Sequence, residues 1–256
     1  MALLEVGGLR RSFYGVAALR GVDLAVAPHT ITGLIGPNGA GKTTLFNCVS
    51  GLLPPDAGSV RFDGEDITRR RPDQIARRGL VRTFQIARGC PRLTVMENLL
   101  LYGPHQPGEA LARALLGLAS ARRREAALVR RAIATADRLT LGHALDRPAA
   151  ELSGGQKKLL ELGRALMAEP KMVLLDEPIA GVNRTLAHEL AGHLQRLRDE
   201  GVTFLVIEHH MDTIARLCDP VVVMAEGRRL AEGRFAEIAE NPEVQEAYMG
   251  RRAWVS

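Results

Sequence analysis

The sequence predicts an α/β fold with a mostly parallel core sheet, a small antiparallel β subdomain and a helical subdomain. Three short apolar runs, at residues 31–35, 172–175 and 203–207, are each followed directly by glycine-rich or polar residues. Such runs suit strands that are buried on both faces of a parallel sheet. A stretch rich in Ala, Leu and Arg at residues 108–140 has instead the composition of helices. Because ligand-binding groups of parallel sheets collect beyond the carboxyl ends of the strands, we expect the chemistry there.

The most specific motif of the chain is GPNGAGKTT at residues 36–44. It fits the pattern GxxxxGK[ST] and lies between the first apolar run and a helix-like run at residues 44–49. Its glycines let the backbone curl so that N–H groups point at an anion, and the positive end of the following helix strengthens that field. Lys42 is expected to reach the β- and γ-phosphates of ATP, and the Thr43 hydroxyl to ligate Mg²⁺. The predicted ATP-binding residues of this loop are Gly36, Pro37, Asn38, Gly39, Ala40, Gly41, Lys42, Thr43 and Thr44.

Two acids end the second apolar run, which reads MVLLDEP at residues 172–178. A position just beyond a parallel strand would place Asp176 beside Mg²⁺ and Glu177 beside the water that attacks the γ-phosphate. Phosphoryl transfer needs a metal ion, neutralisation of charge and an oriented nucleophile. The two acids and the glycine-rich loop together predict those functions.

The segment LSGGQ at residues 152–156 predicts a second helix start that binds an anion. Ser153 is a typical N-cap residue, and the two glycines after it leave backbone N–H groups uncovered at the positive end of a helix. With the motifs in this order, one compact chain cannot hold a single γ-phosphate with both helix starts. The segment therefore points to a partner chain.

These motifs together resemble those of the ATP-binding cassette (ABC) ATPases, and the resemblance runs from about residue 3 to the C-terminus. It implies a phosphate-loop (RecA-like) core, with ATP and Mg²⁺ as cofactors and ATP hydrolysis as the reaction. It implies catalytic roles for Glu177, for the switch histidine His209 and for Gln85 of the segment RTFQ. Gln85 would join Thr43 and Asp176 around Mg²⁺. Where the family usually has an acid after the switch histidine, this chain has a second histidine.

The resemblance also implies a head-to-tail dimer of cassettes. In the family, the LSGGQ segment closes over ATP that the opposite subunit holds. Here the contacting residues would be Ser153, Gly154, Gly155 and Gln156. Because this chain carries one complete cassette, the second comes either from another copy or from a different cassette chain.

One aromatic ring near the N-terminus is expected to stack on adenine. The spacing to Gly15 favours Tyr14, whereas the spacing to Ala18 and Leu19 favours Phe13. Both residues therefore stay candidates. Short strands are predicted in residues 1–30 and 57–68, and FDGED at residues 62–66 predicts a hairpin turn. These strands would form the small antiparallel sheet near the adenine.

We predict a single cassette over residues 1–256. Residues 1–86 and 153–256 would form the catalytic core with its β subdomain, and residues 87–152 the helical subdomain. Residues 235–256 would form a tail of two short helices, divided at its Asn-Pro step.

Composition argues against several classes of protein. No apolar run approaches the roughly 20 residues that span a bilayer, and the first residues lack the layout of a signal peptide. We therefore expect a chain that is neither membrane-spanning nor exported. The three cysteines are far apart and fit no zinc pattern. The net charge of +5 is not accompanied by aromatic-rich nucleic-acid motifs, so no nucleic-acid partner is expected.

Three further features narrow the resemblance: VRTFQ followed by TVMENLL, the segment EPIAGVN, and the tail NPEVQEAYMG. They are similar to the ATPases of branched-chain amino-acid importers, and of related urea and short-amide importers, although many of that group carry a bulkier residue in place of Gly154. That family combines two cassettes with two membrane permease subunits and an extracytoplasmic substrate-binding protein. We therefore expect a peripheral protein on the cytoplasmic face of the membrane. An exporter ATPase and a soluble ABC protein are the remaining alternatives.

Overall fold

The computed structural model describes residues 1–83, 90–104 and 119–249. Its strands are β1 (Leu4–Phe13), β2 (Val16–Val26), β3 (Ile31–Ile35), β4 (Ala57–Phe62), β5 (Glu65–Asp66), β6 (Leu80–Arg82), β7 (Met172–Asp176), β8 (Thr203–Ile207), β9 (Val221–Ala225) and β10 (Arg228–Gly233). Its α-helices are α1 (Lys42–Val49), α2 (Pro72–Ala76), α3 (Val95–Leu100), α4 (Ala119–Arg138), α5 (Gly154–Met167), α6 (Arg184–Asp199), α7 (Met211–Leu217), α8 (Phe235–Glu240) and α9 (Pro242–Met249). Among these helices, none combines the length and the apolar character that crossing a bilayer requires.

The chain divides into two compact units. The first consists of Met1–Gln85, Lys171–Ala180 and Leu194–Ser256. The second consists of Ile86–Pro170 and Gly181–His193.

The first unit contains a six-stranded sheet in the order β10-β9-β3-β8-β7-β6. All neighbours are parallel except β10, which runs antiparallel to β9 at one edge. Every residue of β3, β7 and β8 is buried, as their largely apolar sequences predict. The pairing register sets Leu34 and Asp176 both opposite Ile207, so the three central strands end in one row. The predicted α/β fold with a mostly parallel core is confirmed.

The same unit contains a four-stranded antiparallel sheet in the order β2-β1-β4-β5. Asp63 and Gly64 join β4 to β5 with φ angles of 50° and 78°, the left-handed values of a two-residue hairpin turn. The predicted turn in FDGED is therefore confirmed. Large side chains such as Phe46 of α1 and Phe62 of β4 are fully buried in a core that also includes residues of the parallel sheet.

In the second unit, α3, α4 and α5 pack on one another. The Arg164 guanidinium is buried and donates to Asn98 Oδ1 at 2.5 Å. The Asn98 amide donates in turn to the Thr94 carbonyl at 2.9 Å, which fixes the start of α3 to α5. Helix α5 belongs to this helical packing, and the second unit includes it. The division into subdomains at residue 152 stays a prediction.

The end of the described chain is helical, with a break at the predicted Asn-Pro step. Helix α8 ends at Glu240 and α9 begins at Pro242, where a proline suits the first helical position. Asn241 Oδ1 accepts from the Glu243 backbone N–H at 2.9 Å and so caps α9. The predicted pair of short helices is confirmed for the described residues up to 249.

Candidate active site

The loop between β3 and α1 has a backbone that requires glycine at two positions. Gly36 has a φ of 147°, and a Cβ there would lie 2.0 Å from the Met224 carbonyl oxygen. Gly41 has a φ of 99°, and a Cβ there would lie 2.6 Å from the Ala18 carbonyl oxygen. Neighbouring backbone therefore fixes the curled shape that turns successive N–H groups towards an anion.

Lys42 opens helix α1 and is only 6% exposed. Its Nζ donates to the carbonyl oxygen of Gly36 at 2.6 Å and to that of Pro37 at 3.1 Å. Burial lowers the pKa of Lys42, while the negative charges of Glu177 and Asp176 partly oppose that effect. A lysine at the start of the helix that follows a glycine-rich loop is the arrangement that phosphate-binding loops use.

The rim of the loop is open. Asn38, Gly39 and Thr43 are exposed, and a Cβ on Gly39 would meet no atom within 4 Å. Because Gly41 offers no side chain to cap α1, the first N–H groups of that helix suit an anionic ligand. The loop therefore fits the phosphates of a nucleotide.

Asp176 ends β7 and is held by an ion pair that the sequence did not reveal. The Arg82 guanidinium donates to Asp176 Oδ2 at 3.0 Å and to Asn47 Oδ1 at 2.6 Å. It also lies 5.5 Å from the ring centroid of Phe46. The exposed fractions of the paired side chains are only 9% and 8%. The only signal in the sequence was an arginine in RTFQ, a segment interpreted for its glutamine alone.

Replacing Arg82 by methionine is expected to lower the free energy of unfolding by about 3–5 kcal/mol, because it leaves a buried carboxylate without its partner. Arg78→Met is a matched control. Arg78 pairs with Glu65 at 2.7 Å near the surface, where such a pair contributes about 0–1 kcal/mol. Urea unfolding of the ligand-free chain measures both losses. Equal losses in the two variants would contradict the proposed importance of burial.

The oxygen donors at this edge of the sheet fit Mg²⁺. The Thr43 hydroxyl and the Asp176 carboxylate are hard oxygen ligands, which Mg²⁺ prefers. Within the residues that the structure describes, no group of three or more His, Cys, Asp and Glu side chains forms a separate metal site. Few protein ligands are nevertheless sufficient, since Mg²⁺ usually keeps waters and binds substrate phosphates.

Glu177 and His209 contact each other although they follow different strands. Glu177 Oε1 lies 2.9 Å from His209 Nε2, and both side chains are partly open to solvent. The Glu177 backbone has a φ of 50°, a left-handed value that is uncommon for any residue except glycine. Its N–H donates to the Ile207 carbonyl at 2.9 Å, which ties the turn after β7 to the end of β8. The structure thus brings together the two side chains predicted to act on the γ-phosphate.

His210 follows the predicted switch histidine and lies beside a neighbouring acid. Its side chain is 64% exposed, and Nδ1 lies 3.3 Å from Oε2 of Glu208. Glu208 itself is buried, with only 2% of its surface exposed. Sequence reasoning missed Glu208, although an acid directly after an apolar strand was a visible signal in VIEHHM.

The two candidates for adenine stacking both lie at the end of the β1–β2 hairpin. Tyr14 is fully exposed at the turn, where its φ is 49°. Phe13 is 39% exposed, and the Arg11 guanidinium lies 5.2 Å from its ring centroid. Both rings are available for stacking, so the choice between them stays a prediction.

The LSGGQ segment forms the predicted capped helix start. Ser153 Oγ accepts from the Gln156 N–H at 3.2 Å, and Gln156 Oε1 accepts from the Ser153 N–H at 3.0 Å. This reciprocal pair of bonds begins α5 and leaves Gly154 exposed.

The predicted catalytic and Mg²⁺-binding residue Gln85 lies outside the residues that the structure describes.

Two glycines of the LSGGQ segment differ in the space around them. A Cβ on Gly154 would meet nothing within 4 Å, whereas one on Gly155 would lie 2.4 Å from Leu186 Cδ1. Gly154→Ala is therefore expected to leave the chain as stable or up to about 1 kcal/mol more stable, since alanine favours helix. Gly155→Ala is expected to cost about 1–3 kcal/mol through overpacking. Thermal and urea unfolding of both variants measure the difference, and a Gly155→Ala chain as stable as Gly154→Ala would contradict it.

The sequence matches known families over most of its length. The family model for the ABC transporter matches residues 19–180, which is more than half of the chain. The chain belongs to the ABC transporter family. A second model, the branched-chain amino acid ATP-binding cassette transporter, matches residues 228–253 near the end of the chain. The resemblance that the motifs indicated is confirmed.

Curated relatives align with the cassette almost from end to end. The probable branched-chain amino acid transport ATP-binding protein LivG of Archaeoglobus fulgidus is 42% identical over 250 residues, covering 98% of this cassette and 96% of the relative. The high-affinity branched-chain amino acid transport ATP-binding protein LivG of Escherichia coli is 38% identical over 249 residues, covering 97% and 98%. The cassette is thus LivG-like, and the urea, exporter and soluble alternatives are not favoured.

Solved structures agree with the fold. The ADP conformation of an ATP-binding cassette of an ABC transporter has a TM-score of 0.85 at 40% identity, covering 98% of this chain and 99% of that one. A nucleotide-free cassette has a TM-score of 0.84 at 40% identity, covering 97% and 99%. The cassette described above therefore has the fold of the ABC nucleotide-binding proteins.

Proposed function

We propose that this cassette is the ATP-hydrolysing subunit of an importer for branched-chain amino acids. The observation that carries the proposal is the contact of Glu177 with His209 at 2.9 Å, in the same unit as the buried Lys42 and Asp176. The branched-chain substrate is inferred from the relatives, and from the match at residues 228–253.

ATP is proposed to bind on the loop from Gly36 to Thr44. Its phosphate oxygens would accept hydrogen bonds from the N–H groups at the start of α1 and from the Lys42 ammonium. For this, the ammonium would move from the loop carbonyls to the ligand. Thr43 and Asp176 would hold Mg²⁺, joined by Gln85. Mg²⁺ would supply neutralisation of the phosphate charge.

Glu177 is proposed to orient the attacking water and to accept its proton. The strained turn holds its carboxylate beside His209, which would contact the γ-phosphate and so link the two groups. Adenine would stack on Tyr14 or Phe13.

A second cassette is required by this mechanism. Ser153, Gly154, Gly155 and Gln156 begin α5 with N–H groups and a hydroxyl that suit a phosphate. We propose that they close over the ATP of a partner cassette, either an identical or a different chain. Closing and opening of the dimer would drive two permease subunits, which a substrate-binding protein supplies with ligand. The cassette would then act from the cytoplasmic face of the membrane.

The experiment is to purify this chain from detergent-solubilised membranes of its own cells and to identify the subunits that accompany it. Two permeases and a second cassette are expected, and their companion binding protein should bind leucine. ATP-dependent leucine uptake by the reconstituted complex would complete the test. Recovery only in the soluble fraction, with nucleic acid or ribosomes, would overturn the transport proposal.

A further inference from the structure

Glu208 is a buried carboxylate with a position that no motif explains. It follows β8 directly, precedes His209 and is 2% exposed. Removing a charged group from water is costly unless hydrogen bonds compensate for the loss. The partners of this carboxylate therefore indicate what it is for.

Each oxygen of Glu208 accepts from a different loop. Oε1 accepts from the backbone N–H of Ile179 at 3.1 Å, in the turn after β7 that contains Glu177. Oε2 accepts from the backbone N–H of His209 at 3.0 Å, and Nδ1 of His210 lies 3.3 Å from the same oxygen. One side chain thus joins the segment with the proposed catalytic carboxylate to the segment with the proposed switch histidine.

The turn that it joins is one that needs support. Glu177 holds a left-handed backbone with a φ of 50°. Such a conformation persists only where several interactions with the surrounding structure stabilise it. Here the Ile207 carbonyl accepts from Glu177, the Glu177 carbonyl accepts from Ala180 at 3.1 Å, and Glu208 accepts from Ile179. Of these three bonds, the last also reaches the histidine loop.

We propose that Glu208 is a positioning residue for ATP hydrolysis, which holds Glu177 and His209 in mutual contact. The inference rests on the proposed function. Because Glu208 is buried and its two oxygens accept from the two loops, its proposed role is to hold those loops and not to contact the nucleotide.

Glu208→Gln is the discriminating variant because it keeps the volume of the side chain. Glutamine has one acceptor oxygen, so it can accept from Ile179 or from His209 but not from both, and its NH₂ group then opposes the other N–H. A displacement of about 1 Å at a reacting group can cost about 10²-fold in rate. We expect kcat for ATP to fall about 10- to 100-fold, with the Kd for ATP within about twofold of wild type.

Amide hydrogen exchange gives a readout that does not depend on activity. In the ligand-free Glu208→Gln chain, the amide of Ile179 or that of His209 should exchange at least about tenfold faster, because one of them has lost its acceptor. Glu232→Gln is the matched control, since Glu232 pairs with Arg229 at the surface of the same unit. It should change neither exchange rates nor turnover.

The outcomes separate the two proposals. Turnover and exchange at wild-type levels in Glu208→Gln would show that the side chain only fills space, and would overturn the inference alone. If that variant folds poorly, Glu208→Asp takes its place, because the shorter carboxylate keeps the charge but cannot reach both loops. Normal turnover in Glu208→Asp would likewise overturn the inference. Absence of ATP turnover in the wild-type complex would refute both proposals.

Discussion

Glu177→Gln is expected to abolish sustained ATP turnover while leaving ATP binding intact. Glutamine has the shape of glutamate and can still contact His209, which lies 2.9 Å from the native carboxylate. It cannot accept a proton from the attacking water, and the loss of a general base typically costs about 10²–10⁴-fold in rate. The measurement is kcat of the assembled complex together with the Kd of the isolated chain for ATP, which should change less than about threefold.

The chain offers a matched control for the backbone of this position. Glu226 also has a left-handed φ, 47°, but its side chain is 85% exposed and pairs with Arg20 at 3.9 Å. Glu226→Gln makes the same chemical change at a similar backbone conformation and should leave turnover unchanged. Normal ATP turnover by Glu177→Gln would remove that residue from the mechanism.

The variant also tests the proposed dimer. If hydrolysis opens the cassettes, the Glu177→Gln chain should accumulate as an ATP-bound dimer, detectable by its size in solution. Adding a Ser153→Ala change should reduce that dimer if the LSGGQ segment closes over the ATP of the partner. A dimer that forms equally well without ATP would contradict the link between hydrolysis and opening.

Much of the site could be predicted from the sequence because each motif couples a residue type to a strand end. The glycines of the phosphate loop, the acids at the end of β7 and the histidine after β8 each lie at the carboxyl end of a strand whose apolar sequence marks it as central. In a parallel sheet such strand ends meet at one edge. The placement of Glu177 and His209 at the same edge of the sheet follows from that rule.

The supporting residues could not be predicted because their role arises from the approach of distant segments. Arg82 meets Asp176 across 94 positions of sequence, and Glu208 meets Ile179 across 29. Neither pair has a characteristic spacing, since the pairing register of three strands sets the distance. Sequence motifs therefore predict the residues that contact a ligand more readily than the residues that hold them in position.

Lys42→Met is expected to separate nucleotide binding from folding. Lys42 is buried, and burial lowers its pKa in the folded chain. At pH values between that lowered pKa and the ordinary lysine pKa of about 10.4, the unfolded chain therefore binds more protons than the folded chain. Below this window the buried charge therefore lowers the stability of the ligand-free chain, and methionine removes that penalty. The variant also loses the hydrogen bonds to the Gly36 and Pro37 carbonyls, each of which stabilises by about 0.5–1.5 kcal/mol. Because these effects oppose each other, we expect a net change within about 1 kcal/mol without nucleotide.

With ATP the balance changes, because methionine offers no charge to the phosphates. A charge-assisted hydrogen bond contributes about 1.5–3 kcal/mol, so the Kd for ATP should rise about 10- to 150-fold. Wild type should gain about 2.7 kcal/mol of stability at an ATP concentration 100 times its Kd, whereas the variant should gain only about 0.3–1.4 kcal/mol at that concentration. Lys171→Met is the control, since Lys171 pairs with Asp63 at the surface. Urea unfolding with and without ATP measures all three chains, and equal stabilisation of wild type and Lys42→Met would exclude a role for this ammonium group in binding phosphate.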